Sequence, residues 1–225
     1  MIGELLPKGV VTEERRDDAS EDALYPEEAA VVARAVPKRR LEFTTVRVCA
    51  RAALGRLGVT PGPLLPGERG APRWPAGVVG SMTHCAGYRA AAVARSELVR
   101  SLGIDAEPHD VLPDGVLGQV ALPVEQVELG ALPGGTHWDR VLFSAKESTY
   151  KAWFPLTGRW LGFEEAHVRI EPSGTFRSQL LVPGPRCDGR VLDGFDGRWR
   201  VHDGLVLTAI AVPALVPSHQ LGVGG

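Results

Sequence analysis

The chain has 225 residues, 44% of them apolar and 23% charged, which is enough to bury one large core or two smaller ones. A formal charge of −2 at neutral pH argues against nucleic acid as a main partner, because the phosphate backbone selects basic surfaces, and no run of about 18 apolar residues offers a membrane span. Cys49, Cys85 and Cys187 fit neither a disulfide framework nor a zinc pair, and the opening MIGELLPKGVVTEERRDD lacks an apolar export core, so a cytoplasmic protein is expected.

Residues 1 to about 25 read as polar and irregular. A helical stretch begins at Pro26 and breaks at Pro37, which then opens a second helix running to Leu57 with Gly58 just beyond its end. Phe43, Val46, Ala50, Leu54 and Leu57 recur at spacings of three and four, an apolar stripe along that helix. The proline- and glycine-rich segment 60–77 reads as loop. Three strand-like runs follow, at 78–83, 88–94 and 98–107. Residues 108–136 are broken by Pro113, Gly115, Gly118, Pro123, Pro133 and Gly134, and predict a long connection with little regular structure. A strong helix is expected from His137 to Trp153, stopped by Pro155. Residues 160–213 read as short strands, among them 199–201 and 205–212. The pattern is α+β, with each half of the chain supplying helix and antiparallel strands.

Four groups of residues carry chemistry. In Gly103-Ile104-Asp105-Ala106-Glu107 a strand would place Asp105 and Glu107 on one face, about 6–7 Å apart, with Ile104 and Ala106 on the other. Paired carboxylates suit Mg²⁺; the plainer reading is a solvated strand end. In Phe143–Lys151, Glu147 and Lys151 are helical neighbours, as an exposed ion pair or as metal and phosphate ligands among packed aromatics. Gly80–Cys85 delivers His84 at a strand end, as a structural hydrogen-bonder or a ligand. Arg40, Arg47 and Arg51 line one stripe of the second helix, as a solvated face or a phosphate clamp. GxSxG, GxGxxG and HExxH are absent from the sequence, so the set fits a metal-bridged phosphate substrate better than acyl or glycosyl chemistry.

The stretches KRRLEFTTVRVCARAAL (38–54), GAPRWPAGVVGSMTHC (70–85), GIDAE (103–107) and FSAKESTYKAWFPLTGRWLGF (143–163) resemble the Sfp-type 4′-phosphopantetheinyl transferases, on the branch that holds the enterobactin-synthase transferase and actinobacterial enzymes. The resemblance spans about residues 30–165, and 200–212 is similar to the family's closing strand. It implies a pseudo-dimer of two similar halves, 1–102 and 103–225, each a small antiparallel sheet packed on a long helix, with the site between them. It implies transfer of 4′-phosphopantetheine from coenzyme A to a serine of an acyl or peptidyl carrier protein, in fatty acid, polyketide, nonribosomal peptide or siderophore systems, by a monomer.

Asp105, Glu107 and Glu147 would hold Mg²⁺, with Mn²⁺ as a substitute. Glu147 would take the serine proton, and Lys146 and Lys151 would meet the pyrophosphate. Arg39, Arg47 and His84 would bind the 3′-phosphate, although helical spacing favours Arg40 over Arg39 beside Arg47. Glu68 and Arg69, in the loop 67–70, and Thr83 would frame the nucleotide, and Leu161 would line the pantetheine side. Ala71 stands where many members carry Lys, which leaves Arg69 for that phosphate contact. Two rival functions fit the same residues: a metal-dependent phosphohydrolase, and a non-catalytic coenzyme A-binding module.

Overall fold

In the computed structural model, which describes residues 1–215, two 20-residue helices each lie on an antiparallel sheet. A short helix α1 (Pro26–Val32) leads into α2 (Pro37–Arg56), which opens on Pro37 and ends at Gly58, whose φ of +73° suits a residue without a Cβ. The stripe Phe43, Val46, Ala50 and Leu54 is buried. Cys49, Ala50, Ala53 and Leu54 of α2 pack on Ala91 and Val93 of a sheet ordered β1-β3-β2, formed by β1 (Val11–Arg15), β2 (Val78–Cys85) and β3 (Tyr88–Arg95).

β1 falls in the segment expected to be irregular. Its register runs from Val11 opposite Val93 to Arg15 opposite Arg89. An edge strand needs only a neighbour's backbone, and its charged side chains are of the kind that discourage further pairing, so VTEER carries little strand signal by itself.

The second sheet has the order β4-β10-β9-β6-β5, with β4 (Val99–Pro108), β5 (Ala166–Glu171), β6 (Thr175–Leu180), β9 (Gly194–His202) and β10 (Leu205–Pro213). A small hairpin of β7 (Arg186–Cys187) and β8 (Arg190–Val191) lies between β6 and β9 in the chain. The segment 108–136, expected to hold little regular structure, contains α3 (Leu117–Val120) and α4 (Pro123–Gly130). Pro123 opens α4, and Glu125 accepts the Leu122 N–H at 2.7 Å, a proline and carboxylate start signal hidden among the breakers.

The long helix α5 (Trp138–Thr157) runs past Pro155, where the sequence predicts a stop, and ends at Gly158 with φ +63°. The proline removes one N–H from the last turn, while burial of Trp153 and Phe154 holds that turn on the sheet. Val141, Leu142, Ala145 and Trp153 of α5 share one core with Val206, Ile210 and Phe195. No described helix is long and apolar enough to cross a membrane.

α5 crosses β4 closely enough to touch backbone. A Cβ on Gly103 would lie 2.0 Å from the Ser148 carbonyl oxygen and 2.9 Å from the Ala152 nitrogen. Neither is the free end of a flexible side chain, so Gly103→Ala should cost about 3 kcal/mol or more, as severe overpacking does. Urea denaturation measures this; a loss under about 1 kcal/mol would mean that helix and strand are not in this contact.

Candidate active site at the seam between the sheets

β4 pairs with β10 along one edge only, with Asp105 opposite Thr208 and Glu107 opposite Val206. Its other edge meets β2, and there side chains replace the backbone ladder. The Ile104 N–H donates to Ser81 Oγ and the Ala106 N–H to Thr83 Oγ1, both at 3.0 Å. The seam therefore satisfies the donors of a buried strand edge with two hydroxyls.

Asp105 sits on this seam, 4% exposed, so the solvated strand-end reading does not hold for it. Its carboxylate accepts from Thr83 Oγ1 at 3.2 Å, Ser144 Oγ at 2.8 Å and Lys151 Nζ at 2.6 Å. Behind it the Thr208 hydroxyl donates to the Ser144 carbonyl, which leaves Ser148 Oγ, 2.6 Å away, as donor to Thr208. Thr83, expected beside the nucleotide, is 2% exposed and ties β2 to β4, donating to the Asp105 carboxylate and accepting the Ala106 N–H. A strand pattern shows which face a threonine takes, not which edge its hydroxyl closes.

Lys151 takes Asp105 as its partner rather than Glu147, and its ammonium also reaches the Ile104 carbonyl. Among the described residues no hydrogen bond occupies the Glu147 carboxylate. Burial raises the Glu147 pKa, the Lys151 charge lowers it, and the Asp105 charge raises it again. Glu107 is held by Arg140 Nη1 at 3.1 Å, yet burial first and the Asp105 charge second push its pKa from 4.5 up to about 7. The sequence had not pointed to Arg140, whose role depends on a contact between residues 33 apart.

Asp105, Glu107 and Glu147 do not form a ready-made metal cluster: among the described residues, no three acidic, His or Cys groups come together to hold an ion. Their chemistry nonetheless fits a hard divalent cation. The Asp105 charge disfavours ionisation of both Glu107 and Glu147, a repulsion that a cation taking carboxylate oxygens would relieve.

A cleft of about 620 Å³ begins at Glu147 and runs between α5 on one side and α2, β2 and the loop before β2 on the other. Arg39, Arg47, Arg69, His84, Glu147 and Lys151 all line it. Arg39 Nη1 is 2.8 Å from His84 Nε2, whereas Arg40 turns to Glu21 at 3.1 Å, so Arg39 is the one in the cleft. Arg47 is 4% exposed, donates to the Leu64 carbonyl at 2.8 Å, and is lowered to about 10 by burial, which leaves it charged at neutral pH. The arginine stripe is thus divided. Arg51 reaches Glu28 at 2.7 Å, a carboxylate with no exposed surface that also accepts from the Leu64 N–H, and so fastens α1 and the following loop to α2.

Arg69, at φ +51°, lies 5.6 Å over the Trp160 ring at the cleft wall, while Glu68 is exposed and is not among the lining residues. Leu161 borders a smaller cavity of about 120 Å³ with Glu147 and Tyr150. Lys146, expected at the pyrophosphate, is committed elsewhere. Its ammonium is 2.8 Å from Glu125 and donates to the carbonyls of Phe163 and Ala166 at 2.6 and 3.0 Å, which uses its three donors. That side chain joins α5 to α4 and β5, and burial lowers its pKa.

Comparison with known proteins shows the family. The model of the 4′-phosphopantetheinyl transferase N-terminal domain matches residues 27–94, and that of the 4′-phosphopantetheinyl transferase superfamily matches residues 101–208. The chain is similar to the 4′-phosphopantetheinyl transferase Svp of Streptomyces mobaraensis, with 63% identity over 95% of this chain and 90% of the relative. It is similar to PptT of Mycobacterium tuberculosis, at 58% identity over 83% and 85%, and to Npt of Nocardia iowensis, at 53% over 94% and 99%.

The raised Glu107 pKa carries a stability consequence. Between its ordinary 4.5 and about 7 the folded chain holds a proton there that the unfolded chain has released, so this contribution is lost as pH rises through that interval. Glu107→Gln should therefore lose less stability than the parent between about pH 5 and 8, by about 2–3 kcal/mol. Denaturation in EDTA tests this, and parallel pH profiles for the two proteins would remove Glu107 as the source.

Proposed function

This chain belongs to the 4′-phosphopantetheinyl transferase superfamily, and from that premise we propose how its cleft works. The enzyme transfers the 4′-phosphopantetheine group of coenzyme A to carrier proteins. Coenzyme A lies along the junction with its adenosine 3′-phosphate at Arg39, Arg47 and His84, and its pyrophosphate beside Lys151 and the carboxylates. The single observation that carries this reading is the make-up of the cleft: one groove is lined by Arg39, Arg47 and His84 and also by Glu147 and Lys151, whose ammonium bonds Asp105.

Asp105, Glu107 and Glu147 would hold Mg²⁺, which supplies Lewis-acid stabilisation of pyrophosphate oxygens when bound. Glu147 is the general base. Its carboxylate is free of hydrogen bonds among the described residues, and burial moves its pKa toward the working range of a base. It takes the proton of the carrier serine as the serine oxygen bonds to the phosphorus that carries pantetheine. The bond from that phosphorus to the bridging oxygen breaks, and 3′,5′-ADP leaves, its charge met in part by Lys151. Tyr150, Trp160 and Leu161 offer an apolar wall for the pantetheine arm. Both halves of one chain already line the cleft, α2 and β2 from the first and α5 from the second, so the working unit is a monomer, acting in the cytoplasm on acyl and peptidyl carrier proteins.

Intact-mass spectrometry of an apo carrier protein incubated with the enzyme, coenzyme A and Mg²⁺ tests the reaction. A gain of one phosphopantetheine, abolished by EDTA, is expected. Release of phosphopantetheine without a carrier would indicate a phosphohydrolase, and binding with no product a coenzyme A-binding module. Glu147→Gln should slow transfer by about 10²–10⁴-fold, the range of a lost general base, with coenzyme A still bound. Unchanged turnover would remove Glu147 from the proton transfer.

A further inference from the structure

Arg39 and Glu42 lie three residues apart on one face of α2, and both reach the His84 ring on β2. Arg39 Nη1 is 2.8 Å from Nε2, and Glu42 Oε2 is 3.6 Å from Nδ1. A guanidinium only donates, so Nε2 is the accepting nitrogen of a neutral imidazole and Nδ1 carries the proton, with the Glu42 carboxylate 3.6 Å from it. Glu42 is only 9% exposed, and among the described residues His84 is the sole polar group within reach of its carboxylate. A carboxylate beside the imidazole favours its positively charged form.

The ring as it stands presents a lone pair, not a donor, to whatever replaces Arg39 at Nε2. A phosphate there requires a hydrogen on that nitrogen. With Nδ1 already carrying a hydrogen, the ring gains the second one by protonation, without exchanging tautomers. Four charged groups face the ring. Arg39 from α2, Lys151 from α5 and Arg89 from β3 oppose its protonation, and Glu42 from α2 favours it. Burial is the largest influence and also favours the neutral form.

We propose that Glu42 is a positioning residue: its carboxylate fixes the His84 ring and supplies the counter-charge with which His84 takes up a proton from solvent when the 3′-phosphate of coenzyme A displaces Arg39 from Nε2. This rests on the reading that Arg39, Arg47 and His84 hold the 3′-phosphate. The phosphate then meets an imidazolium flanked by two guanidinium groups, and binding is linked to proton uptake. Coenzyme A affinity accordingly falls as pH rises, because the proton that accompanies binding becomes scarcer.

Isothermal titration calorimetry in buffers of different ionisation enthalpy counts that proton, with coenzyme A and 3′-dephospho-coenzyme A as the two ligands. The wild-type protein should take up protons with coenzyme A and none with the dephospho form. Glu42→Gln keeps an acceptor of the same shape without the charge. It should abolish the uptake and weaken coenzyme A about tenfold, the equivalent of one pKa unit, while leaving dephospho-coenzyme A affinity within about twofold. Retained binding of the dephospho form also shows that the variant is folded. His84→Gln should likewise lose the uptake.

Uptake and affinity unchanged in Glu42→Gln would overturn the proposal, as would equal losses on both ligands, which mark a merely structural carboxylate. If the wild-type protein binds both ligands equally and without uptake, the 3′-phosphate reading itself fails, and the role of Glu42 with it.

Discussion

Everything at this site depends on how one strand edge is closed. β4 is bonded to β10 along one side, and its other side would leave buried N–H groups without acceptors. Ser81 and Thr83 supply those acceptors from β2, so the two sheets meet through side chains and not through a continuous ladder. A backbone ladder at that edge would have made one larger sheet. The hydroxyl seam instead keeps two sheets, and beside it the cleft has α2 and β2 of the first half and α5 of the second on its walls.

The same seam sets the electrostatics. From the first sheet Thr83 makes two bonds to β4, accepting from Ala106 and donating to Asp105, while Ser144 and Lys151 of α5 complete the environment of that carboxylate. Asp105 is thereby fixed in place, and its charge is felt by Glu107 and Glu147, whose pKa values it raises. Close approach of α5 to β4 makes this possible, and Gly103 is the point at which that approach leaves no room for a Cβ. At the opposite end of the cleft the cations are separated by their tethers. Arg47 is fixed by the Leu64 carbonyl, Arg51 and Arg40 are drawn off to Glu28 and Glu21, and Arg39 alone of the neighbouring arginines reaches His84.

Much of this was legible in the residues. The prolines and glycines bounded α2, the alternation of GIDAE placed Asp105 and Glu107 together, and the glutamate and lysines of α5 marked the second carboxylate centre. What was not legible depended on contacts between distant segments. VTEER became β1 only because β3 had a free edge. Lys146 looks equivalent to Lys151 in the sequence, yet five residues along α5 turn it toward Glu125, a residue of a helix concealed among breakers. Arg40 and Arg39 are adjacent in the chain, and helical spacing pointed to Arg40; the acidic segment before α1 claims Arg40 and leaves Arg39 to the cleft.

The sequence by itself determined the kinds of element, the residue types available for phosphate and metal chemistry, and, through the combination of GIDAE and KESTYK, the family. These are local properties: periodicity, end signals and spacing along one helix or one strand. The tertiary structure alone decided which of those residues face a common cleft, which charges neutralise one another, and which carboxylates remain free. The reason is that hydrogen-bond and charge partners are chosen by proximity in space. At a seam made of side chains, that proximity has no periodic signature along the chain.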